Sequence, residues 1–338
     1  MPKITAFLRH KPILWAILAA TALPIVLAAM LSLFSTVKSV REYSDYSTLI
    51  TYTTFSTRLS ALVHEQQKER GASALFLSSK GQTFGPELRD QRELTTKLRA
   101  EIKGQIAELS QRYPDNPINP QLKGIVTQLA IMDDMRSQVD AQSVSVGQAV
   151  AYYTNLNADV LSAIRAFAAQ SPDPRSFAAI SAYSAFLQGK ERAGIERAIG
   201  SGGFAAGFTV QSLTRLNVLI AAQNVYFSQF KADATAKQIA RFDTLMSSEA
   251  AISVKRMRDV ANAGGLNGTT EGITGPAHFS AQTNKINLLK EFEDSLTADL
   301  LAFTNAAQKQ ILTSGILTVA GLTTCFLLCL AFSVLMAR

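Results

Sequence analysis

The sequence predicts an all-α protein, with helical bundles hung between two membrane-spanning helices. Three observations carry that expectation. Two long runs contain no charged residue, Pro12 to Phe34 and Ile311 to Ala337. Between them lie segments of about 20–45 residues rich in Ala, Leu, Gln, Lys and Glu, which favour helix. No stretch alternates apolar and polar residues in the manner of a strand.

The first 11 residues carry Lys3, Arg9 and Lys11. Basic residues before an apolar run place an N-terminus on the cytoplasmic side. Residues 12–34 form the first expected span, since roughly 20 apolar residues cross a bilayer as a helix. Pro24 is tolerated there as a kink. A cleaved signal peptide is the competing reading. The run is longer than a signal core, and no small-residue cleavage site closes it, which favours an uncleaved anchor.

Residues 35–310 are the expected external part. Clear breaks fall at Gly81–Pro86, Tyr113–Pro120, Ser171–Pro174, Gly200–Gly203 and Gly264–Pro276, where Gly, Pro and Asn cluster. Weaker breaks fall near Ser143–Gly147 and Lys231–Thr235. They delimit eight helices, at about 35–80, 86–112, 120–142, 147–170, 174–200, 208–231, 235–262 and 277–310. Leu122, Ile125, Leu129, Met132 and Val139 follow a heptad seam, interrupted by Arg136. Leu213, Leu216 and Ile220 make another stripe. Eight such helices exceed one four-helix core, so two bundles are expected. Residues 311–337 form the second span, with Arg338 after it. Cys325 and Cys329 lie within that span, four apart, and read as small hydrophobes.

Charge and motifs exclude several classes. The net charge is +7. Four of the 33 basic residues flank the apolar runs, leaving 29 against 26 acidic residues in the external part. That balance is too mild for a nucleic-acid footprint, so no nucleic-acid partner is expected. His10, His64 and His278 lie far apart, without metal-ligand spacing. No nucleophile elbow, phosphate loop or dinucleotide motif appears. The glycine-rich Gly200–Gly207 follows a helix and reads as its C-terminal loop. Asp133-Asp134 reads as a solvated face. Asn267–Thr269 matches a glycosylation triplet only weakly. Neither an enzyme nor a bound cofactor or metal is expected.

Lys-Glu-Arg occurs twice, at Lys68–Arg70 and Lys190–Arg192. On the first helix, Gln66, Arg70, Ser73 and Leu77 share one face, with Gly71 beside Arg70. A glycine inside a helix costs about 1 kcal/mol relative to alanine, and close packing is the usual compensation. On the fifth helix, Lys190, Gly194 and Arg197 share a face. Arg192 and Glu196 are spaced for an ordinary i, i+4 ion pair. Two readings stand side by side. Arg70 and Arg197 could clamp one oxyanion with their planar forks. Equally, Glu65, Glu69, Glu191 and Glu196 could pair with these cations on solvated faces.

Three stretches carry a family resemblance: Leu62–Gly81, Met135–Leu161 and Lys190–Gly207. They resemble the Q-x-E-R-G-x-S, R-x-x-V and K-E-x-x-G-x-E-R-A segments of the nitrate- and nitrite-sensing (NIT) domain of bacterial receptors. The resemblance covers about residues 55–260. It implies two four-helix bundles, with nitrate or nitrite bound by Arg70 and Arg197, near Gly71, Ser73 and Gly194. Arg136 matches the R-x-x-V position and could bond across the bundle. Arg192, Arg256 and Arg258 are weaker candidates. The resemblance also implies a homodimer. The expectation assembled from all this is a two-pass sensor in the bacterial inner membrane, with its helical domain in the periplasm. Its second span would signal to a cytoplasmic output of chemotaxis type. The alternatives are a similar receptor for another small anion or an amino acid, and a partner-binding membrane protein without a small ligand.

Overall fold

A computed structural model describes residues 2–337, with side chains described at residue 22, from 25 to 332 and at 335. The side chains of Lys3, Arg9 and Lys11, the first half of the N-terminal apolar run, and Arg338 lie outside the described residues. The fold is all-α, and no strand occurs among the described residues. In order, the helices are α1 (Pro2–Ser78), α2 (Gly85–Arg112), α3 (Asn119–Asp140), α4 (Val146–Ala168), α5 (Pro174–Ala206), α6 (Val210–Asp233), α7 (Ala236–Met246), α8 (Glu249–Gly264) and α9 (Gly275–Ala337). A 3-10 turn, Gly265–Asn267, follows α8.

Local chemistry explains the boundaries. α1 ends with Lys80 and Gly81 at positive φ. There Gly81 N–H reaches the Phe76 carbonyl and Lys80 N–H reaches that of Leu77, which satisfies the last orphan carbonyls. Pro86 and Pro120 sit in the first turns of α2 and α3, where a missing N–H costs nothing. Ser145, Thr209 and Thr235 cap α4, α6 and α7 in capping boxes with Gln148, Ser212 and Gln238. Asp173 accepts from the Arg175 and Ser176 amides to start α5.

Two boundaries differ from expectation. The single helix expected over 235–262 is broken at Ser247–Ser248, because the Ser248 hydroxyl caps a new start at the Ala251 amide. The break expected at Gly200–Gly203 is helical instead, and α5 continues to Ala206. Tertiary packing explains the glycine there. A Cβ on Gly203 would lie 2.1 Å from Phe208 Cε1, so the missing side chain admits an aromatic ring.

The chain divides into two compact units, residues 51–301 and residues 1–50 with 302–338. In the first unit the heptad seam of α3 is buried, from Leu122 to Val139. Tyr52 and Phe55 of α1 stack on Phe167 of α4. Phe186 of α5 meets Phe227, Phe230, Phe242 and Phe292, which joins α5, α6, α7 and α9. In the second unit α1 and α9 lie close enough that a Cβ on Gly315 would be 3.0 Å from Ser39. Apolar residues such as Met30, Phe34, Leu317 and Leu328 are exposed there. Among the described residues, α9 alone is long and apolar enough to cross a membrane, judged by length and composition.

Candidate functional site

The middle of α1 and the middle of α5 bury charge where a bundle normally buries Leu and Ile. Glu69, Arg70, Lys190, Glu191, Glu196 and Arg197 are all less than a tenth exposed. Buried ions must be paired and hydrogen-bonded, or they cost several kcal/mol each.

Most are paired. The Arg136 guanidinium donates two bonds to Glu69, at 2.7 and 2.8 Å, and Tyr153 donates a third at 2.7 Å. Burial pulls the Arg136 pKa down, but the Glu69 carboxylate outweighs it and the net shift is upward. The Arg258 guanidinium likewise forks onto Glu196 at 2.6 and 2.6 Å, with Gln223 donating at 2.7 Å. Burial raises the Glu196 carboxyl, and Arg258 more than reverses this, so its pKa is lowered. Lys190 pairs with Glu293 of α9.

Arg70 and Arg197 differ. Arg70 donates to Glu191 at 2.5 and 3.4 Å and to the Thr154 hydroxyl at 2.9 Å. Glu191 also accepts from Gln67 at 2.5 Å and from Asn157 at 3.5 Å. Arg197 makes no ion pair among the described residues. Its Nη1 donates to Thr283 at 3.1 Å, and its guanidinium stacks 4.7 Å from the centre of the Phe279 ring. Burial first, and then the nearby Arg70, lower its pKa to about 10, with Glu191 opposing them. It stays charged at neutral pH.

The glycines explain how two guanidiniums fit here. A Cβ on Gly194 would lie 2.9 Å from Arg70 Nη2, and one on Gly71 would lie 3.3 Å from Arg197 Nη2. Each fork thus lies over a bare patch of the opposite helix. Polar atoms on α1 and α9 are also unfilled among the described residues. Ser73 Oγ, and both amide atoms of Gln66 and of Gln282, are buried without a hydrogen-bond partner. Such atoms carry a desolvation cost that a polar ligand can offset.

Arg70, Arg197, Gly71 and Gly194 therefore come together, and Ser73 is buried one turn along α1. Three weaker candidates lie elsewhere. Arg136 is occupied by Glu69. Arg192 bonds Gln188 at 2.9 Å and lies over Tyr226, not on Glu196 as its spacing suggested, because Glu196 is buried on Arg258. Arg256 is exposed and meets Glu271 at 3.2 Å. The readings that placed Glu69, Glu191 and Glu196 on solvated faces are corrected, since all three are buried. Sequence reasoning gave Glu191 only a solvated face, and it missed Thr283, Phe279 and Gln282. The last three sit on α9, far along the chain, and no local signal marks them.

An all-α domain with a buried, half-neutralised guanidinium pair has the make-up of a receptor for a small anion. The chain belongs to the nitrate and nitrite sensing (NIT) family, whose model matches residues 61–301. A nitrate regulatory protein from Klebsiella oxytoca is 29% identical over 245 residues, 72% of this chain and 61% of that protein. This chain therefore spans less than two thirds of that relative's length. The structure of the NasR transcription antiterminator is similar with a TM-score of 0.73 and 25% identity, covering 85% of this chain and 80% of that one.

These relatives overturn part of the expectation. They are a regulatory protein and a transcription antiterminator, so the membrane-anchored periplasmic receptor with chemotaxis-type output is corrected. The expected partners are corrected with it: a relative that acts in transcription conflicts with excluding nucleic acid and with naming a membrane instead. The physical reason is that the mild charge balance and the apolar runs describe this stretch of chain. Neither encodes the output a family member serves.

Proposed function

We propose that this chain is the sensing part of a regulator, and that it binds nitrate or nitrite between α1 and α5. One observation carries the reading. Arg197 holds a buried positive charge with no carboxylate on it among the described residues, facing Arg70 across two glycines. A planar oxyanion would supply the missing counter-charge through charge-assisted hydrogen bonds. Ser73 and Gln282 bring further polar atoms to α1 and α9. The role is binding, with no catalytic step.

The domain is read as two four-helix bundles, and paired contacts support this. Arg136 of α3 clips Glu69 of α1, as Arg258 of α8 clips Glu196 of α5. Arg197 also touches Thr283 and Phe279 of α9, so seating an anion on it bears on that helix. A ligand moves such an equilibrium only through its different affinity for the two packings.

The test is thermal unfolding of the full chain with nitrate, nitrite, formate, sulfate or an amino acid. Nitrate or nitrite should raise the midpoint, by about 2.7 kcal/mol of stability at 100 times the dissociation constant. Arg197→Leu should abolish the rise. No shift with either anion in the wild-type chain would sink the reading.

A further inference from the structure

We infer that Glu191 is a specificity-determining residue that restricts this site to singly charged anions. The inference rests on the reading that the anion sits at Arg70 and Arg197.

Charge at this site is shielded from solvent screening. Arg70, Glu191 and Arg197 are 2%, 1% and 8% exposed. Two guanidiniums and one carboxylate leave a single positive charge. The neighbouring ions Glu69, Glu196 and Lys190 each have an opposite charge of their own, on Arg136, Arg258 and Glu293. Lys285 is a further buried cation, set beside Arg258 and donating to Gln223 at 3.4 Å, and it is not among the charges that act on Arg197. The charged groups acting on Arg197 are Arg70 and Glu191.

One net charge matches one monoanion. Nitrate or nitrite would leave the site neutral. Sulfate would leave an uncompensated negative charge in a low-dielectric interior, which is strongly unfavourable. Glu191 cannot easily move aside, because Arg70, Gln67 and Asn157 all donate to it and fasten it to α1 and α4. Were residue 191 neutral, the same two forks would present two positive charges and suit a dianion. Glu191 thus does more than orient Arg70: it sets the charge the pocket will accept.

The two roles separate in one experiment. Calorimetric titration of the full chain with nitrate and with sulfate, at matched ionic strength, compares the wild type with Glu191→Gln. The amide keeps an oxygen for Arg70 to bond. The wild type should bind nitrate and not sulfate. Glu191→Gln should gain sulfate binding, with the sulfate-to-nitrate affinity ratio rising roughly tenfold or more. A purely orienting role would weaken both anions alike. An unchanged ratio, in a chain whose wild type binds nitrate, overturns the inference and leaves the nitrate reading intact. A wild type that binds no nitrate removes both.

A second pair guards against a Glu191→Gln chain that fails to fold. Thr283→Glu places a carboxylate beside Arg197 and brings the site to zero, while Thr283→Gln adds the same bulk without charge. Nitrate affinity should fall at least about tenfold in the first relative to the second. Equal nitrate affinity in the two overturns the inference.

Discussion

Two Glu-Arg dipeptides, Glu69-Arg70 on α1 and Glu196-Arg197 on α5, begin alike and end differently. Each glutamate is buried and held by a bidentate arginine from another helix, Arg136 or Arg258. Each takes one further bond, from Tyr153 or Gln223. Each arginine then reaches toward the opposite helix. Arg70 finds Glu191, whereas Arg197 finds a hydroxyl and an aromatic ring. The arginine of the same dipeptide is therefore neutralised on one helix and left without a carboxylate, among the described residues, on the other. What separates them is one carboxylate.

That comparison can be broken most severely at the arginines. Arg70→Leu should cost about 3–5 kcal/mol, because it strands the buried Glu191 carboxylate. Arg197→Leu strands no carboxylate and should change stability without nitrate by about 1 kcal/mol or less. Urea unfolding of the two variants decides it, and equal losses would mean Arg197 has a counter-ion after all. The glutamates should behave as a matched pair. Glu69→Ala and Glu196→Ala each leave a partly buried guanidinium that water can reach, and should cost similar amounts, about 2–3 kcal/mol.

The glycines sharpen the contrast at a smaller scale. Gly194→Ala pushes on Arg70, which Glu191 pins, and should cost about 1–3 kcal/mol. Gly71→Ala meets the less constrained Arg197 at a longer distance, and the helix gains up to about 1 kcal/mol of propensity. Its thermal midpoint should stay near the wild-type value.

A further comparison lies in pH. His278 is buried and His64 partly buried, and, with desolvation the leading cause, their pKa values are lowered from 6.5 to about 4 and about 2 respectively. Nearby lysines, Lys190 first, add to the effect on His64, while Glu196 partly opposes it on His278. The unfolded chain takes up these protons before the folded one does. Stability is therefore complete above pH 6.5 and declines as pH falls, for His278 until about pH 4 and for His64 until about pH 2. Each histidine should remove about 1.4 kcal/mol per pH unit well below 6.5. Denaturant melts from pH 7 to pH 5 should show the decline, and His278→Gln should reduce its slope.

Much of this was legible before any coordinates. Pro86, Pro120, Ser145, Asp173 and Thr209 mark helix starts within a few residues of where they fall. The heptad seam of α3 predicted its buried face. Arg70 and Arg197 stood out because each lies beside small residues on a helix. The failures have a common cause. Arg192-Glu196 satisfied a local spacing rule, yet Arg258 displaced it from 62 residues away. The Gly200–Gly203 stretch carried a turn signal, yet it is helical, and the bare Gly203 makes room for the Phe208 ring.

By itself, the sequence determined the all-α fold, the approximate helix ends and the family, since these depend on residues within a few turns of one another. Only the tertiary structure decided which arginine carries an unpaired charge. Counter-ions are chosen across the interior: Arg70 meets a carboxylate 121 residues away, while Arg197 meets Thr283, 86 residues on, and no carboxylate among the described residues.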